Sequence, residues 1–442
     1  MKKYFLILAL GFSQTDILAS NIEVGLGLSG GTSTNISQLN NGTEGNLYES
    51  LFRFELEENN YRNFELDIDS SISRFYYTPE NLSSETQYEL ALTSRYFFTD
   101  INSSVGVFSD ISQVPINRFQ AQEVNNQREA STSAIFGNHF IRLSGKTQFG
   151  FDYQHAKFSV DSDVPTFRLQ DASREEQQAL FSLSNKLNSN NTLQLRFQKK
   201  DTDFKDENNL ENSDYFQYDI IASWQGETET TTINLEIGNS RVKDLLGRQY
   251  EDENGQLILN RQINTQQRLR LQLNKGVASL FTLDRTTGEI FVNQQNDSIS
   301  QAQTAEGGGM QYDITMGRFG ITTSYFESQL KGVFIPSQEV TRNKGLLIQM
   351  ALGSSSIQNA QTRISSFFTQ DELDAEPGIS VVNENYVKQH VFTVSHQFSP
   401  AFNTSLQYVK RDAFQYFFNG NRTNINSEAI ILSFEYVHNT IF

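Results

Sequence analysis

The chain runs to 442 residues, contains no cysteine and carries a formal charge of -17 at pH 7. The absence of cysteine excludes a disulfide framework, a thiolate nucleophile and a cysteine-ligated metal. The acidic balance excludes a basic patch able to displace counterions from phosphate, so nucleic acid is not an expected partner.

Residues 1–20 read as a signal peptide. Lys2 and Lys3 form a charged start, Tyr4 to Phe12 an apolar stretch, and Ala19 and Ser20 offer small residues for cleavage. The remainder, 21–442, is expected to be one domain outside the cytoplasm. Mean hydropathy is -0.48, and past the start no apolar run reaches the ~20 residues of a membrane-spanning helix. A membrane-spanning strand escapes that test, because it shows lipid only every second residue.

From residue 21 onward one texture continues. Ile22, Val24, Leu26 and Leu28 alternate with Glu23, Gly25 and Gly27; Phe52, Phe54 and Leu56 alternate with Arg53, Glu55 and Glu57. Phe64, Leu66 and Ile68 oppose Glu65, Asp67 and Asp69. Further on, Leu193, Leu195 and Phe197 oppose Gln194, Arg196 and Gln198, while Leu269, Leu271 and Leu273 oppose Arg268, Arg270 and Gln272. Period two means strands with one apolar and one polar face.

Short turns are expected near 57–62, 98–101, 137–145, 186–190, 225–229, 275–277, 316–318, 353–360 and 398–403. Longer polar connections are expected near 31–45, 75–86, 113–127, 156–174, 199–213, 243–262, 284–306, 328–342, 370–387 and 411–426. Their strict alternation is that of outer-membrane barrels, with tight periplasmic turns and long extracellular loops. The fold expected is all-β, an antiparallel transmembrane barrel of about 18–20 strands. Residues 283–292 read as an extracellular hairpin within one long connection. Strand texture begins at once after residue 21, which leaves no room for a large N-terminal plug.

The last strand alternates Ile430, Leu432, Phe434 and Tyr436 with Ile431, Ser433 and Glu435, and the sequence stops at Phe442. Phe434, Tyr436 and Phe442 resemble the outer-membrane insertion signal, which implies the barrel-assembly machinery as a partner. His438 and Thr440 depart from it, since aromatic or aliphatic residues are usual there. Aromatics near turns, among them Tyr76, Tyr77, Tyr96, Phe97, Phe98, Phe326, Phe367, Phe368, Phe398 and Phe402, are expected in girdles at the two membrane interfaces.

If the apolar register faces lipid, the polar register lines the interior. Arg53, Glu55, Glu57, Glu65, Asp67 and Asp69 then form a mostly acidic arc, and Arg196, Arg268, Arg270 and Arg363 offer basic positions further round. Opposed arcs of charge across water orient dipolar solutes; pairing of these charges across neighbouring strands is the alternative. Acidic stretches at 201–211 and 371–376 lack the pattern of a calcium loop. None of His139, His155, His390, His396 and His438 has the local context of a catalytic motif. His396 follows Ser395, but adjacent strand residues point to opposite faces. No catalytic residue, metal or cofactor is expected.

Taken whole, the sequence resembles the large plugless outer-membrane barrels of bacterial exopolysaccharide systems, including the exosortase-associated group. The resemblance rests on the signal peptide, the immediate strand texture, the polar loops rich in Asn, Gln, Ser and Thr, and the aromatic terminal strand. It implies passage of a polar polymer through the lumen without a cofactor, and it assigns no residue. The leading expectation is a porin-like channel for polar solutes, with a polysaccharide as a candidate cargo, set among outer-membrane lipid and lipopolysaccharide. The alternatives are an adhesion or interaction protein acting through acidic loops and, third, an outer-membrane hydrolase.

Overall fold

The computed structural model describes residues 21–34, 44–61, 63–78, 84–98, 101–115, 127–161, 173–204, 214–277, 281–283, 290–292, 303–333, 339–353, 360–375, 385–416 and 422–441. The expected signal peptide, Phe442, most of the expected long loops and part of the 201–211 stretch lie outside them.

The first strands are β1 (Asn21–Ser33), β2 (Gly45–Tyr61), β3 (Phe64–Thr78), β4 (Glu85–Phe98), β5 (Ser103–Pro115), β6 (Gln127–Arg142) and β7 (Thr147–Asp161). There follow β8 (Arg174–Asn188), β9 (Asn191–Phe204), β10 (Tyr215–Glu227), β11 (Thr231–Asp244), β12 (Gln249–Asn264) and β13 (Gln267–Val277). Two short strands, β14 (Phe281–Leu283) and β15 (Ile290–Val292), pair only with each other, so the hairpin expected at 283–292 forms. The series ends with β16 (Gln303–Met316), β17 (Phe319–Gly332), β18 (Glu339–Leu352), β19 (Thr362–Ala375), β20 (Asn385–Ser399), β21 (Phe402–Tyr416) and β22 (Arg422–Ile441).

Apart from that hairpin, all strands belong to one 20-stranded antiparallel sheet. Each pairs with its neighbours in sequence, β13 with β16, and β1 closes on β22 from Asn21↔Ile441 to Ser33↔Ala429. The sheet is therefore a closed barrel. Long and short connections gather at opposite ends, with two exceptions.

One exception corrects the sequence reading. Residues 243–262 were expected to be a long loop, but β12 begins at Gln249. Gly247 takes a φ of +83°, and the Asp244 carboxylate accepts from the Arg248 backbone N–H at 2.8 Å, which closes a tight turn instead. The short turn then falls at 265–266 rather than 275–277. The other exception is at the opposite end, where β18 and β19 are joined by the comparatively long 353–361.

The apolar register is strongly exposed all round: Leu28 67%, Leu195 55%, Ile237 63%, Met310 51% and Leu432 44%. The opposite register is the concave one. Arg196 on β9 and Glu236 on β11 form an ion pair across β10, and Phe326 on β17 reaches Phe367 on β19, their ring centroids 6.5 Å apart. Side chains two strands apart converge in this way only on the inside of a curved sheet.

Those last two rings correct a second expectation. Tyr76, Tyr96, Phe98, Phe368, Phe398 and Phe402 are exposed on the outer register. Tyr77, Phe97, Phe326 and Phe367 lie on the inner one and belong to no girdle. Phe97 is covered by the Arg95 guanidinium at 4.6 Å, and Phe326 fills the space beside Gly345, where a Cβ would come within 2.3 Å of the ring.

Candidate functional site

The inner wall divides into three stretches of different chemistry. On β1–β4 it is acidic and wet. The Arg53 guanidinium pairs with Glu55 at 3.2 Å and with Asp69 at 3.4 Å, while all three side chains stay 36–49% exposed. Glu65, Asp67 and Asp69 are exposed although they lie on the concave register, so solvent reaches the interior there. Glu49 ties the strands together by accepting from Ser29 and Ser73, each at 2.8 Å.

Arg268 and Arg270 project from the inner register of β13 and are also exposed. In the ring of twenty, β13 is the tenth strand on from β3. The arginines and the carboxylates of β3 therefore stand on opposite sides of the barrel, both in the half nearest the short turns. A transverse field runs between them. Arg363 lies elsewhere, in a smaller recess of about 250 Å³ with Glu23 and Glu435.

The third stretch, on β7–β11, is dry. Glu176 accepts from Arg174 at 3.0 Å and pairs with Lys200 at 3.5 Å, and all three side chains are at least 94% buried. The Arg174 guanidinium sits 5.4 Å above the Phe158 ring, and the Lys200 ammonium 5.7 Å above Tyr215. Asp219 accepts from Gln217 at 2.8 Å. Arg196 belongs here, paired with Glu236, so it contributes to a sealed polar wall rather than to the exposed basic side.

No family model and no curated protein sequence matches the chain. Among solved structures it is similar to the FrpB iron transporter from Neisseria meningitidis, with TM-score 0.45, 10% identity, and cover of 94% of this chain and 82% of that one. It is similar to the ferric citrate transporter FecA at TM-score 0.45 and 11% identity, covering 96% and 80%. Pseudomonas aeruginosa OpdQ follows at TM-score 0.41 and 9% identity, covering 96% and 100%.

Phe434 and Tyr436 are exposed on the outer face of β22 at 45% and 48%, and the Phe434 ring stacks on Phe402 with centroids 6.5 Å apart. The histidines find partners that adjacency along the chain conceals. His139 Nδ1 lies 2.6 Å from Ser103 Oγ, His396 Nδ1 2.8 Å from Thr362 Oγ1, and His390 Nε2 2.9 Å from Ser366 Oγ. All three pairs are cross-strand and on the outer register. Among the described residues no carboxylate bonds any of these rings to orient it, which a hydrolytic triad requires. Asp201 accepts from Lys199 at 3.0 Å. Among the described residues no group of three or more His, Asp or Glu is placed to hold a metal ion.

Proposed function

We propose that this chain is an outer-membrane barrel conducting polar solutes, with secretion of a polysaccharide as its specific form. The exposed apolar register supports the membrane setting. Contiguous apolar surface around a whole molecule has no stable place in water, and a closed ring leaves no backbone edge unsatisfied in lipid.

One observation carries the conduit. Inside a closed barrel, Glu65, Asp67 and Asp69 on β3 and Arg268 and Arg270 on β13 are exposed on opposite walls. Charge on both sides of a wet passage orients dipolar and polyhydroxylated solutes, and the acidic surplus on β1–β4 favours small cations.

Planar-bilayer recording of the purified protein tests this. A steady conductance, with a reversal potential in a KCl gradient on the cation side, is the expected result. A folded protein that passes no current at any voltage would refute the conduit.

A further inference from the structure

Arg268 and Arg270 line a recess of about 510 Å³ on the inner wall near the short turns, together with Gln262, Gln266, Gln311, Asp313, Thr322 and Gln349. Two positions apart on a strand, the two arginines share a face at a spacing of roughly 6.8 Å.

The register sets Arg268 directly opposite Asp313 and Arg270 opposite Gln311, an arrangement that invites an Arg–Asp ion pair. It does not form. The Asp313 carboxylate instead takes the Gln311 amide N–H on both oxygens, at 2.8 and 3.0 Å, and the Thr322 hydroxyl at 2.7 Å. Three hydrogen bonds from neutral donors occupy the one carboxylate lining the recess. Among the described residues neither guanidinium makes a hydrogen bond or an ion pair, the backbones alone being paired in the sheet.

Two like charges side by side, with the acid opposite Arg268 engaged elsewhere and an amide opposite Arg270, repel each other and together attract an anion. A guanidinium fork matches an oxyanion in its own plane. The surrounding amides and hydroxyl both donate and accept, as sugar hydroxyls require.

We propose that this recess binds an acidic saccharide, its carboxylate held by Arg268 and Arg270 and its hydroxyls by the glutamine side chains. The proposal rests on the reading of a solvent-filled interior but not on conduction. The acidic wall opposite repels the same carboxylate and so turns it toward β13.

Calorimetric titration of the full, detergent-solubilised chain provides the test, with oligogalacturonate, a neutral maltooligosaccharide and inorganic phosphate as probes. Oligogalacturonate is expected to bind and the neutral sugar to bind far more weakly. The double variant Arg268→Gln/Arg270→Gln should weaken oligogalacturonate roughly tenfold or more. Asp313→Asn, which removes a negative charge beside the arginines, should tighten it several-fold and serves should the double variant not fold.

Equal binding of the acidic and neutral sugars would overturn the proposal. So would unchanged affinity in the double variant, no tightening in Asp313→Asn, or binding of phosphate alone. Binding without bilayer conductance would refute the conduit and leave this site standing; conductance without binding would do the reverse.

Discussion

On β3 the inward carboxylates Glu65, Asp67 and Asp69 stand in solvent, whereas on β8 and β9 Arg174, Glu176 and Lys200 are sealed among themselves and against Phe158 and Tyr215. Both stretches use charged residues at every second position of neighbouring strands, and only their access to water differs. A solvated charge contributes little to stability and projects its field into the passage. A desolvated one must be matched by a partner, and removing that partner is costly. The same alphabet therefore writes a solvated charged surface on one stretch of the ring and a structural brace about a quarter of the way round.

The largest expected effect comes from breaking the brace. Glu176→Gln leaves two buried cations without the carboxylate between them and should cost about 3–5 kcal/mol. A lower urea midpoint, followed through emission of Trp224, the chain's single tryptophan, would show it. Replacing Arg174, Glu176 and Lys200 together by Met, Leu and Met should recover most of that loss, because apolar groups of similar volume need no partner.

Glu49→Ala breaks the hydrogen bonds that link β1, β2 and β3 through Ser29 and Ser73. With water at hand to replace them, the same urea titration should register about 1 kcal/mol.

The smallest effect on stability belongs to Glu55→Gln/Asp69→Asn, within about 0.5 kcal/mol. Its signature is electrical. The reversal potential in a salt gradient should move toward zero, and the difference from the unaltered protein should shrink in 1 M salt, where exposed charges are screened over about 3 Å. An unchanged reversal potential would remove the acidic wall from the account of selectivity.

Much of this was legible in the sequence, because alternation reports the one contrast a barrel needs: apolar outside, polar inside. Where the outer register also turns polar, the signal vanishes. Residues 249–256, QYEDENGQ, have no apolar face, so the first half of β12 passed for a loop. Proximity to a turn does not tell which way a ring points, and Phe326 was misplaced although its neighbour Tyr325 holds the outer register.

The inward direction of Arg268 and of Asp69 followed from register, whereas their opposition across the ring became visible only with the strand order, because β12 had been read as a loop. The sealing of Arg174, Glu176 and Lys200 did not follow, since nothing in a polar-apolar alternation separates a wet polar face from a dry one. Nor could spacing reveal that Asp313 would be taken by Gln311 and Thr322 and so leave Arg268, across from it, open.

The join between β1 and β22 bears on how the molecule comes into being. Every other pairing in the ring links strands consecutive in sequence, apart from the step from β13 to β16 over the small hairpin, and can zip up locally. The seam links Asn21 with Ile441 at one end, and at the other Thr34 with Glu428, where backbone N–H meets carbonyl at 2.9 Å. Contact order is thus concentrated in one event. Until it happens, an incomplete sheet offers two bare edges to any other strand, its own kind included. Once it has happened, no frayed edge remains from which unfolding could start. Reopening the ring means parting this seam along its length, so its hydrogen bonds contribute to the barrier to unfolding as well as to stability.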